Sequence, residues 1–232
     1  MSAKIIVSYD GTANEGDAIA LGRLFARAGG EVSLAYVRHS PEVDSAREAI
    51  AQNEAQEILD RGVTLLGQPN AGRHVVTDRS TPEGLAALAE AEGADVVVFC
   101  SDSHTAKGHV AIGNSAERLL QGGRTAVAIA PVDLAERIDG DSVSKIVAIG
   151  DSDGGARETA DALAAAFGAS VEPVAGSDTG LLVIDSRPEV EAGRVGISGS
   201  ASHLIEIATC PVLVLPRGGR LQFGRSTAVT AA

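Results

Sequence analysis

Lys4-Ile5-Ile6-Val7-Ser8-Tyr9-Asp10 opens the chain's first apolar run. It returns, at an offset of 141, as Lys145-Ile146-Val147-Ala148-Ile149-Gly150-Asp151. The first copy, Lys4 to Tyr9, reads as a buried strand. A second repeat has a different offset, 85. Thr125-Ala126-Val127 through Pro131 returns as Cys210-Pro211-Val212 through Pro216, and Ile112, Ser115, Ala116 and Leu119 return as Ile197, Ser200, Ala201 and Leu204. The two offsets differ by 56, so the later copy is shorter by that amount. An internal duplication with one truncated copy follows.

Outward from these repeats, short apolar runs alternate with amphipathic stretches. Glu15 to Ala28 places Ala18, Leu21, Leu24 and Phe25 on one helical face. Val32 to Val37 reads as a strand, Ser45 to Leu66 as a long helix and Arg73 to Thr77 as a weaker strand. Thr81-Pro82-Glu83 opens a helix with a hydroxyl cap, a proline at its first position and an acid at the positive end of the dipole. Asp95 to Phe99 and Thr125 to Ala130 are continuous apolar runs, as in strands covered on both faces. Strand alternating with helix implies right-handed crossovers and a parallel sheet, so the fold class is α/β.

The segment missing from the later copy corresponds to the long helix, the weak strand and the next helix. If that strand lies at a sheet edge, its loss leaves the central strands adjacent. The last strand of each copy, in 125–130 and 211–215, is very apolar for an edge, and an uncovered apolar edge invites association. The expectation is that the two pair within one chain, as a pseudo-dimer. The resulting division is a full unit at 1–131, an acidic linker at 132–144, a truncated unit at 145–217 and a polar tail at 218–232. That tail is expected to be mobile, with Phe223 as an anchor.

Composition narrows the function. The formal net charge is −12, from 19 basic and 31 acidic residues, and Lys4, Lys107 and Lys145 are the only lysines. A phosphate-backbone binder would cluster Lys and Arg, and a single-strand binder would need aromatic platforms; Phe 4, Tyr 2 and Trp 0 supply few. Neither a nucleic-acid nor a membrane partner is expected, since no apolar run approaches the roughly 18–20 residues of a span. Cys100 and Cys210 are too few for a disulfide framework, and with no signal-peptide core at the N-terminus the reading is cytoplasmic.

At this point the residues resemble the universal stress protein family. Lys4 through Thr12, Leu34-Ala35-Tyr36-Val37, Gly93 through Phe99, Gly113-Asn114-Ser115-Ala116-Glu117-Arg118-Leu119-Leu120 and Thr125-Ala126-Val127 carry the likeness, as does Cys210 through Pro216 in the later copy. The resemblance implies a flavodoxin-like sheet in the order 3-2-1-4-5, the later copy lacking strand 3 and its flanking helices. Some members of that family bind ATP or AMP through a strand-1 aspartate, a strand-2 valine and a loop reading G-x2-G-x9-G-[ST]. By position these fall on Asp10, flanked by Ser8 and Gly11, on Val37, and on the segment from Cys100 to Asn114. Gly113 matches. Cys100 and Ser103 stand where the first two glycines would be, and Asn114 replaces the hydroxyl residue, with Ser115 next. Asn114 reads as a helix cap with Glu117 three residues on, and Lys107, His104 and His109 would add charge. The implied cofactor is ATP or AMP, with Mg only alongside nucleotide. The later copy offers Asp151, Asp185, Pro188, Ser198 and Gly199 instead, which suits a structural lobe.

Three functions follow in order. The first is nucleotide binding or sensing in the first unit, with at most weak ATPase activity and no catalytic or metal-ligating residue assigned. The second is a stress or regulatory protein acting by protein–protein contact. The third is a Mg-dependent phosphatase using Asp151 and Asp153, a reading opposed by the lack of any lysine after Lys145. Cys100, Asp102, His104 and His109 match no closed zinc spacing.

Overall fold

The opening apolar run forms β1 (Lys4–Ser8), with Ile5, Ile6 and Val7 buried. The computed structural model describes residues 2–12, 14–42, 44–102, 104–137, 143–150 and 155–224. After β1 come α1 (Glu15–Arg27), β2 (Glu31–Arg38), α2 (Ser45–Leu66), β3 (Gly72–Thr77), α3 (Thr81–Glu92), β4 (Val96–Cys100), α4 (Asn114–Leu120) and β5 (Ala126–Ala130). A short α5 (Leu134–Arg137) leads to β6 (Lys145–Ile149), α6 (Gly155–Phe167), β7 (Ser170–Glu172), β8 (Leu181–Asp185), α7 (Gly199–Glu206) and β9 (Val212–Leu215).

Among the described residues the strands form one nine-stranded sheet in the order β3-β2-β1-β4-β5-β9-β8-β6-β7. The first five strands thus take the expected 3-2-1-4-5 order, with the weak strand β3 at the edge. Neighbouring strands are parallel except β5 and β9, which pair antiparallel at the middle of the sheet. Between β6 and β9 no described strand corresponds to β3, and the other edge is the short β7.

The central pairing is symmetric in sequence. Val127 lies opposite Val214, Ala128 opposite Leu213, and Ile129 opposite Val212. Applying the offset of 85 to each β5 residue gives the β9 residues in reverse about the Ala128–Leu213 pair, the signature of a two-fold relation. Other bonds repeat it. Val110 N donates to Ala208 O at 3.1 Å, and Val195 N, 85 residues further on, donates to Gly123 O at 2.7 Å. The buried Ser101 Oγ donates to Ala130 O at 2.6 Å and accepts from Ala111 N at 3.1 Å. Ser186 Oγ makes the same bonds to Leu215 O at 2.6 Å and from Gly196 N at 3.0 Å.

Helices cover both faces, as the near-continuous apolar strands require. On one face α1, α2 and α6 meet Val7, Val98, Ala128, Val183 and Leu213. On the other α3, α4 and α7 meet Ile6, Val97, Val127, Leu182 and Val212. Each cluster runs through β5 and β9 into both halves of the sheet.

Local details differ from the sequence expectations. Ser80 and Gly113 precede α3 and α4, so Thr81 and Asn114 are first helical residues rather than caps. Glu117 N donates to Gly113 O at 2.9 Å, which starts the α4 ladder one residue earlier than a capping Asn114 would. Inside 132–144, Leu134 and Val143 are buried, and the Asp17 carboxylate accepts the N–H groups of Asp133 and Ala135 at 2.9 and 2.8 Å. The tail is packed as far as it is described. Leu221 is buried, Phe223 stacks on Phe25 with centroids 5.9 Å apart, and Leu221 N donates to Thr159 Oγ1 at 3.0 Å. Apolar contacts on α1 and α6, distant in sequence, hold it there.

Candidate functional site

In an open parallel sheet, ligands collect at the carboxyl ends of the strands where neighbouring crossovers leave to opposite faces. Here that point lies between β1 and β4. β1 delivers Ser8, Tyr9 and Asp10; β2 delivers Tyr36 and Val37; β4 delivers Phe99, Cys100 and Ser101. Two hollows open over these ends. One, of about 270 Å³, is lined by Ser8, Tyr9, Asp10 and Thr12 together with Val37, His39 and Thr81. The other, of about 280 Å³, runs from Ser8, Asp10 and Glu15 past Cys100 to Gly113, Asn114 and Ser115. Ser8, Asp10, Thr12 and Thr81 line both, so the hollows form one bent crevice with Asp10 at its elbow.

The turn after β1 is held by two acidic side chains, Asp10 and Glu15. Asp10 Oδ1 accepts from Thr12 N at 2.9 Å, an Asx turn. Gly11 adopts φ +82°, a conformation that side chains resist. Its N–H, together with that of Asp10, donates to Glu15 Oε2; the Gly11 bond is 2.9 Å. Glu15 is buried, and burial, reinforced by the nearby Asp10 charge, pushes its carboxyl up to about 8. Burial likewise pushes the Cys100 thiol up to about 12, which keeps it protonated and a poor nucleophile. Tyr9 is raised too, first by burial and then by the Glu15 charge.

Of the residues singled out from the sequence, Ser8, Asp10, Val37, Cys100, Gly113, Asn114 and Ser115 come together around the crevice. Gly11 shapes the turn through its backbone. Lys107 stands apart: its ammonium pairs with Asp133 at 2.9 Å and is absent from the lining. Ser103 lies outside the described residues, as do Asp151 and Asp153. His104 is exposed beside Asp102. Among the described residues no three His, Cys, Asp or Glu side chains converge to hold a metal, and no helix is long and apolar enough to cross a membrane.

Sequence reasoning missed Glu15, His39 and Thr81 as lining residues. Glu15 reads locally as an acid complementing the dipole of its own helix. Its turn back onto Asp10 and Gly11 depends on the tertiary path of the loop. The lining therefore carries Asp10, Glu15 and Asp102 as acids, and neither Lys nor Arg.

The corresponding point of the other half is occupied by protein. Asp185, at the end of β8, accepts the α6 N–H of Ala156 at 2.8 Å. A Cβ on Gly150 would fall 2.1 Å from Asp185 Oδ2, so the carboxylate sits directly on the turn after β6.

Residues 1–131 match the model of the universal stress protein family. Among solved structures, a universal stress protein from Archaeoglobus fulgidus DSM 4304 superposes with a TM-score of 0.70 at 15% identity, over 94% of this chain and 100% of that one. A universal stress protein, described as putative, from Pseudomonas aeruginosa UCBPP-PA14 gives 0.63 at 14%, over 94% of each chain. At these identities the likeness is one of fold, and it extends through both halves of the sheet. A search among curated proteins finds no match.

Proposed function

The chain belongs to the universal stress protein family, and from that premise we propose that its first unit, residues 1–131, holds an adenine nucleotide in the crevice over β1, β2 and β4. The observation that carries the reading is the continuity of the two hollows through Asp10. Joined, they reach the ~300–1,000 Å³ range of small-molecule sites. The base would lie toward Val37 and the phosphate end toward Gly113–Ser115, with the Asp10 carboxylate at the elbow to accept ribose hydroxyls. With acids on the lining and no Lys or Arg there, a ligand with few phosphates is favoured, AMP over ATP, and Mg²⁺ enters only with nucleotide. Residues 145–217 are a truncated second copy that completes a pseudo-dimer through β5 and β9, joined by 132–144 and followed by the tail from 218. The protein acts in the cytoplasm.

The test is thermal unfolding with AMP, ADP and ATP, each with and without Mg²⁺. Ligand at about 100 times Kd adds ~2.7 kcal/mol to stability. Asp10→Ala should abolish the shift. No shift at millimolar nucleotide sinks the proposal.

The second reading, regulation by protein–protein contact without nucleotide, is favoured by one feature. Glu15 already takes the Asp10 and Gly11 N–H donors. A silent nucleotide titration would select it.

A further inference from the structure

A further cavity lies between α4 and α7 on the two-fold relation of the sheet, where the segment 110–117 passes from its wall to that of the nucleotide crevice and back. It measures about 970 Å³. Its walls are apolar and come in corresponding pairs: Val110 and Val195, Ile112 and Ile197, Leu120 and Ile205. The members of each pair share the offset of 85 that relates the two copies, so both halves contribute equivalent positions. Backbone bonds between the halves fix these walls. Val110 N donates to Ala208 O, Val195 N to Gly123 O, and Gly122 N to Val195 O at 2.9 Å. The cleft is built before any ligand arrives, and its size is at the upper end of small-molecule sites.

The polar groups at its mouth are not equivalent. Glu117 Oε1 already accepts from Gln121 Nε2 at 3.0 Å, and Glu206 faces His203 at 3.9 Å. Three arginines surround the loop after β8. Arg194 binds Gly122 O at 2.8 Å and Glu191 at 3.1 Å, and Arg217 binds Val190 O at 2.7 Å. Arg187 has no side-chain hydrogen bond or ion pair among the described residues, yet it lines the cleft and is exposed. Among the described residues Arg187 is the one cation of the lining, beside the carboxyl groups of Glu117 and Glu206, so a single anionic head has one place to go.

We propose that this cleft binds one amphipathic monoanion per chain, an aliphatic or aromatic body between the paired apolar walls and a carboxylate-type head on Arg187. The apolar body supplies affinity in proportion to the CH₂ groups it takes out of water. The head supplies orientation through a charge-assisted hydrogen bond. The cleft shares no lining residue with the crevice at β1–β4, although Ile112 and Glu117 of one flank Gly113–Ala116 of the other.

The test is calorimetric titration of the full chain with sodium decanoate and, as a neutral match of the same length, decanol. The expected result is one decanoate per chain, with decanol about tenfold weaker. Arg187→Gln, a change at an exposed position, should weaken decanoate about tenfold and leave decanol unchanged. Ile197→Glu should abolish both, and its circular dichroism and melting temperature establish that it folds. The proposal is overturned by no decanoate binding to the native chain, by equal affinity for decanoate and decanol, or by an Arg187→Gln protein that binds decanoate as well as the native one. It is also overturned if the native chain self-associates through this face, seen as a dimer in light scattering that Ile197→Glu dissociates.

Discussion

Glu15 Oε2 accepts the Gly11 N–H at 2.9 Å, so the first residue of α1 closes the turn that precedes its own helix. Because the buried carboxyl titrates at about 8 against an ordinary 4.5, the folded chain holds a proton there that the unfolded chain releases. The stabilisation is complete below pH 4.5 and is lost as pH rises through about 8. Glu15→Gln keeps an acceptor for Gly11 and cannot ionise. Its melting temperature should match the native protein near pH 5 and exceed it at pH 8.5. Parallel melting curves for the two proteins across that range would remove Glu15 as the titrating group.

Ser101 and Ser186 satisfy the same pair of backbone groups in the two halves. Replacing Ser101 by Ala leaves the half-buried N–H of Ala111 without its acceptor, and replacing Ser186 does the same to the buried N–H of Gly196. The cost is about 1–3 kcal/mol for each change. For a chain of this size that is roughly 2–4 °C per kcal/mol in Tm. Calorimetry should return similar losses for both variants; a loss confined to one would mean that the matched bonds carry unequal weight.

Phe223→Ala removes the ring stacked on Phe25. An aromatic pair adds about 0.5–1.5 kcal/mol beyond the area it buries, so a loss of about 1–3 kcal/mol is expected in urea unfolding. Deletion after Arg217 should cost more, since it also removes Leu221 and the Arg220–Glu158 ion pair. An unchanged unfolding midpoint on deletion would show the tail contributing nothing.

Both core clusters pass through β5 and β9, so the halves should unfold as one unit. Leu213→Ala, in the centre of that pairing, should cost about 2–5 kcal/mol and move a single calorimetric transition downward. Two separated transitions in the native chain would contradict the shared core.

Much of this architecture is legible in the sequence because it rests on local signals. The apolar runs at Lys4–Tyr9 and Thr125–Ala130, and the two offsets that relate them to later residues, point to the strands and to the β5–β9 pairing. The family resemblance singles out Asp10, Val37 and Gly113 by spacing, and the structure brings them to the lining of one crevice. What local pattern cannot carry is a contact made across the fold. Leu221 and Phe223 sit in a Gly- and Arg-rich stretch whose partners, Thr159 and Phe25, lie far away in the chain. Glu15 looks like any acid opening a helix until the loop turns it onto Gly11. Lys107 resembles a phosphate ligand in sequence, but Asp133 takes its charge. The α4–α7 cleft exists only once β5 meets β9.

The residues facing each other on the two-fold relation are unequal, Ala128 against Leu213. A true homodimer would place identical side chains there. Two first units would bring alanine against alanine and leave a hole of leucine size; two second units would crowd leucine against leucine in a core without slack. On that argument the small–large match should make each half a better mate for the other than for itself. Were the chain cut between its halves, the fragments should find one another as a heterodimer and not sort into two homodimers.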